Sequence, residues 1–231
     1  MSATARSETR SAGRAAAVPT GPSALAALLV AQAGGLTPRR IAVVGNAPMD
    51  ASPARAARID AADLVVRMTT FRTDDVGAAP PSLGWRTDVV IVHRATRAGP
   101  STFADYHRRL YLLAEPGRDH GEPAAQPPWW PADLAPIPIG NRAIVQSLRH
   151  SLGLGRRQAT WPTTGTLAVH LMSTLFPTVD IELAGSSLRA DGGSLEHAWG
   201  GAALLTPEHR LAAERRYLDR LVAERRLRML Q

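Results

Sequence analysis

From residue 39 onward, short apolar runs alternate with longer stretches that repeat every three to four residues. Residues 41–46, 64–68, 88–93, 110–116 and 179–185 are too short for helices. They are also too continuously apolar for a sheet with one wet face, and they predict strands buried on both sides. The intervening pattern predicts helices. One covers 52–63, with Ser52 as N-cap and Pro53 at the first helical position, and another lies near 141–152. Residues 165–176, apolar nearly all round, predict a central buried helix. A last long helix is expected over 206–226, with Thr206 capping it and Pro207 opening it, and residues 227–230 predict a final strand. Strands alternating with helices imply an α/β fold, a mostly parallel sheet with helices on both faces. Residues 116–138, with seven prolines and the pair Trp129-Trp130, predict a long loop.

The first 40 residues read differently. Residues 1–22 are poor in large apolar side chains and rich in Ala, Ser and Arg, and predict a disordered tail. Residues 23–38 predict a peripheral helix and linker, with Ser23 as N-cap and Gly34-Gly35 as the stop. The long leading segment, with Glu8 in it, favours this over a secretion signal. Residues 39–231 then form a single domain, which a chain of 231 residues is long enough to build.

Composition narrows the chemistry. Cysteine is absent, which excludes disulfides, thiolate metal sites and a Cys nucleophile and fits a cytoplasmic location. Lysine is absent too, so all 27 basic residues are arginine, and neither a Walker-type P-loop nor a Schiff base can form. The net charge of +7 could suggest nucleic acid. Five arginines against one glutamate in residues 1–40 supply much of it, without interleaved aromatics, so no nucleic-acid partner is expected. No apolar run is long enough for an integral membrane segment.

Three places carry candidate chemistry. Gly45 and Asn46 end the first strand, where open parallel sheets hold ligands. Gly45 allows close backbone approach and Asn46 offers both donors and an acceptor. The alternative is an Asn that caps its own turn. Thr163, Thr164 and Gly165 open the buried helix, whose first amides lack intrahelical partners and suit a phosphate. The alternative is plain N-capping, which needs one threonine. His209 would fall in the first turn of the last helix, where the dipole disfavours the imidazolium and helps keep a base neutral. The alternative is a surface histidine. Glu214 lies on that helix's apolar stripe, away from His209, and reads as an inward carboxylate holding backbone or an arginine. His93 and His170 read as structural. No Asp-x-Asp and no metal-ligand spacing of histidines occurs, so neither a metal nor another cofactor is expected.

In order along 41–230, these pieces resemble the sialyltransferases of glycosyltransferase family 29. "AVVGNAPMDASPARAARIDAADLVVRMTTFR" is similar to that family's large motif, and "PTTGTLAVHLM…VDIELAG" to its small motif. "HAWG" is similar to its third motif, and "HRLAAE" to its very small motif, His-x4-Glu. The chain also resembles short bacterial proteins labelled urease-operon accessory proteins. The family resemblance implies a Rossmann-like, GT-A-variant-like sheet and a metal-independent, inverting transfer from a CMP-sugar donor to a hydroxyl acceptor. It implies that Gly45, Asn46, Thr163, Thr164 and Gly165 hold the nucleotide, that His197 lies near the leaving phosphate and that His209 is the general base. Thr69 stands where the family has a second nucleotide-binding Asn, Gly200 where the third motif is acidic, and the family's disulfide cannot form.

Overall fold

The computed structural model of the chain describes residues 22–74, 80–115, 126–155, 161–186, 188 and 210–231. Seven strands form one sheet in the order β5-β4-β3-β2-β1-β6-β7. They are β1 (Arg40–Val44), β2 (Leu64–Met68), β3 (Val89–Val92), β4 (Leu110–Leu113), β5 (Ile137–Pro138), β6 (Asp180–Ala184) and β7 (Leu227–Met229). Every neighbouring pair is parallel. The central strands are buried residue after residue, as an all-parallel sheet covered on both faces requires.

Side-chain alternation along β1 sorts the two faces. Ile41 and Val43 join the larger core, roofed by α1 (Pro22–Gln32), α3 (Gln146–Ser151), α4 (Thr164–Leu175) and α5 (Leu211–Ala223). Ala42 and Val44 pack against Ile59 of α2 (Pro53–Asp60) and against Ala62 just past its end. On that second face, Trp130 and Leu134 cover β3 and β4. α2 starts as its sequence dictates: Ser52 is the N-cap, and its hydroxyl accepts from the Arg55 amide. α1 packs Leu25 and Leu29 into the larger core, and Gly34 and Gly35, both at positive φ, end it.

The chain builds outward from β1 to β5, then returns to the other side of β1 for β6 and β7. The reversal between β1 and β6 is where such sheets open a ligand crevice beyond the carboxyl ends.

The element boundaries differ from expectation in four places. α1 begins at Pro22, so Ser23 lies inside it and is not its cap. Residues 137–138 pair with β4 as a short edge strand inside the proline-rich segment, and edge position is where a strand accepts proline. The helix expected near 141–152 is present, but its first five residues, Asn141–Val145, wind as a π-helix ahead of α3. α5 begins at Leu211 with Arg210 at its cap in a non-helical conformation, so the helix does not run unbroken from Pro207. Among the described residues no helix is long and apolar enough to cross a membrane.

Candidate functional site

The turns that leave β1 and β6 touch. The Gly45 amide donates to the Ala184 carbonyl at 2.8 Å, and the Ala47 amide to Gly185 at 2.9 Å. A Cβ on Gly45 would collide with the Gly185 carbonyl oxygen, and one on Gly185 would sit 2.7 Å from the Gly45 oxygen. Gly185 also has a φ of +62°, which L side chains avoid. Gly45 is therefore needed by a neighbouring backbone, where the sequence reading assigned its freedom to a ligand. The close crossing carries the chain past the switch point with Asn46 at its head.

Asn46 does not cap its own turn. Its Nδ2 donates to the Met68 carbonyl at 3.1 Å and to Thr69 Oγ1 at 3.0 Å, tying the end of β1 to the end of β2. Both amide hydrogens are so engaged, which leaves Oδ1 as the group without a partner among the described residues. Thr69 holds its hydroxyl on the Met68 carbonyl at 2.8 Å. Its φ is +53°, an uncommon conformation for a β-branched residue and a local strain at a strand end.

The start of α4 reaches the same place. A Cβ built on Gly165 lies 3.5 Å from Met68 Sδ, so the opening turn rests on the residue whose carbonyl Asn46 binds. Asn46, Thr69 and Gly165 thus gather around Met68. Thr163 is the N-cap, and its hydroxyl accepts from the Thr166 amide at 3.3 Å. Thr164, the first helical residue, is half-buried and its hydroxyl bonds to none of the described residues. The Thr164 and Gly165 amides point out of the helix start without intrahelical partners.

Beneath that turn lies Glu214, fully buried, from the first turn of α5. Its carboxylate accepts the Thr163 amide at 3.1 Å, the Thr163 hydroxyl at 2.6 Å and the Thr166 hydroxyl at 2.5 Å. The inward carboxylate expected from the helix pattern is there, and it holds backbone and hydroxyls. What sequence reasoning missed is its target: 51 residues away, it fixes the very turn proposed to bind an anion. The signal was a lone acid on an apolar stripe.

The α4–α5 seam continues with His170, whose Nδ1 meets the Tyr217 hydroxyl at 2.7 Å. Burial, aided by Arg226, pushes the imidazole down to about 4, and burial pushes Tyr217 up to about 12. His170 is therefore a neutral structural histidine. His93 follows β3, and burial lowers its pKa too. Arg67 is wholly buried, and burial lowers it to about 10. Its Nε and Nη2 donate to the Arg86, Leu83 and Gly84 carbonyls, which pins β2 to the segment before β3. His197 and His209 lie outside the described residues, as do Thr206 and Gly200. No group of three or more His, Asp or Glu among the described residues could hold a metal.

A cavity of about 600 Å³ lies elsewhere, along β6, β7 and the turn before β7. Its Arg226 and Arg228 stand near Glu224 and Glu182.

No family model matches the chain, and no curated protein matches it. Solved structures do. A mammalian sialyltransferase in complex with Gal-beta-1-3GalNAc-ortho-nitrophenol superposes with a TM-score of 0.57 at 20% identity, over 86% of this chain and 71% of that one. A further structure of a mammalian sialyltransferase gives 0.54 at 20% identity, over 85% and 70%. The chain therefore has the Rossmann-like fold of the sialyltransferases.

Proposed function

We propose that the protein is a metal-independent, inverting glycosyltransferase that uses a CMP-activated sugar. The observation that carries this is the meeting of Asn46, Thr69 and the α4 start around Met68, at the carboxyl edge beside the sheet's reversal. The sialyltransferase fold supports it.

The parts divide the chemistry. The Thr164 and Gly165 amides and the Thr164 hydroxyl take the phosphate of the donor, where the helix dipole favours negative charge. Asn46 Oδ1 accepts from the nucleoside. His209 removes the proton from the acceptor hydroxyl as its oxygen attacks the anomeric carbon. The bond from that carbon to the phosphate oxygen breaks, and CMP leaves with the electron pair. Charge grows on the phosphate at the helix start, where donors are already in place, with His197 beside it. Attack opposite the leaving group inverts the anomeric centre.

The test is a melting curve with CMP in the presence of a chelator. Ligand at about 100 times its Kd stabilises the fold by about 2.7 kcal/mol, so a rise of several degrees is expected. An unmoved curve with CMP, CDP and CMP-sugars would end this reading. His209→Ala is expected to keep that rise and lose sugar transfer.

Thr69 favours a second reading, a non-catalytic nucleotide-binding accessory protein on the same fold. Its hydroxyl is turned back on the Met68 carbonyl, which removes a side-chain contact from the nucleotide. That reading expects the CMP shift without hydrolysis or transfer of any CMP-sugar.

A further inference from the structure

Two tryptophans are exposed among the described residues, and they are not alike. Trp85 is 63% exposed before the amino end of β3, and the hydrogen bonds that hold it are made by its backbone amide to Asp60. Trp129 is 52% exposed at the other end of the sheet, and its indole is fixed: Nε1 donates to the Thr96 carbonyl at 3.0 Å. Its neighbour Trp130 is buried with Phe71, Val92 and Tyr111, which anchors the backbone beneath it. A single exposed aromatic is ordinary. One whose ring edge is hydrogen-bonded and whose chain neighbour is buried, yet which stays half exposed, is a preorganised platform.

The platform is connected to the candidate nucleotide site. Asn46 bonds Thr69, the next residue Thr70 donates to the Arg97 carbonyl, and the preceding carbonyl, Thr96, holds Trp129. Each step along the chain is about 3.8 Å, so the indole stands on the same rim, its contact and that of Asn46 each one residue removed from the Thr70–Arg97 contact. It lies on the β3–β4 side, away from β6. The ion pair of Arg94 and Glu115 stands at the carboxyl ends of those two strands. A neutral aromatic face suits a pyranose ring, whose C–H edges meet the negative face of the indole.

We infer that Trp129 is the stacking residue for a sugar ring of the acceptor, and so sets which acceptor is used. This rests on the transferase reading above. The test is saturation-transfer NMR and fluorescence titration with Gal-β-1,3-GalNAc and with methyl β-galactoside, at saturating CMP. Trp129→Ala is expected to weaken sugar binding about tenfold, the equivalent of 1.4 kcal/mol, whereas Trp129→Phe keeps most of it. Trp85→Ala should match the wild type, and CMP affinity should be unchanged in all three. Sugar binding indifferent to Trp129→Ala, or absent from the CMP-bound wild type, would overturn the inference while leaving the nucleotide site intact. CMP affinity that falls with Trp129→Ala would also overturn it, by showing that the indole stacks on the base. Failure of the wild type to bind CMP at all would remove the transferase reading itself.

Discussion

Two buried glutamates sit on opposite faces of the same fold, and they are used differently. Glu182, on β6, is 2% exposed and is neutralised by arginine: Arg58 of α2 grips it at 2.5–3.0 Å, and Arg228 of β7 stands 3.6 Å away. Glu214 is fully buried and is bonded only to an amide and two hydroxyls among the described residues. The first is an ion pair that closes a sheet edge, and its cations can return to water. The second is met among the described residues by hydrogen bonds alone, and those bonds shape the start of α4. A buried carboxylate is costly unless its oxygens are well bonded, and here the groups that bond it are those of one helix start.

The contrast can be broken most forcefully at Glu214. Glu214→Ala strands the Thr163 amide and two hydroxyls, and about 3–5 kcal/mol of stability should go, with the CMP-induced rise in melting temperature. Urea unfolding measures the first and a thermal shift the second. If stability falls while CMP binding holds, the α4 start is not the phosphate site.

Acid probes the same seam through His170. The imidazole is near 4 in the fold against about 6.5 when free. Between those values the unfolded chain binds the extra proton. Stability is therefore complete above about pH 6.5 and is lost as pH falls toward 4, by roughly 3 kcal/mol at 1.36 kcal/mol per unit. His170→Gln should flatten that limb in urea titrations at stepped pH.

Glu182→Ala is expected to cost less, about 1–2 kcal/mol, because Arg58 and Arg228 are partly exposed and rehydrate. Its CMP response should match the wild type, which is the outcome that most sharply separates the two acids. The smallest effect concerns Thr69. Asparagine tolerates positive φ better than a β-branched residue, so Thr69→Asn should gain up to about 1 kcal/mol and tighten CMP binding.

Much of this frame was legible in the sequence because parallel strands buried on both faces leave continuous apolar runs. Residues 64–68 match β2, and Ser52-Pro53 marks the start of α2. β5 was not legible, since two residues in a proline-rich segment carry no period. The start of α5 was misplaced because Thr206-Pro207 is a strong local start signal, yet Arg210 interrupts it with a non-helical backbone. At the site, the glycines and the threonine pair were visible as residue types. Their partners were not: Gly45 answers to Gly185, and Thr163 to Glu214, through contacts of 140 and 51 residues' separation that no local pattern encodes. Asn46 was visible at its strand end, but its bridge to Met68 and Thr69 depends on the pairing of β1 with β2.

A crystal structure of the protein with CMP, grown without divalent metal, tests the central claim most directly. The account predicts the phosphate within hydrogen-bonding distance of the Gly165 amide and the nucleoside against Asn46. CMP bound along the β6–β7 cavity, or a nucleotide that touches Asn46 but not the α4 start, would contradict it.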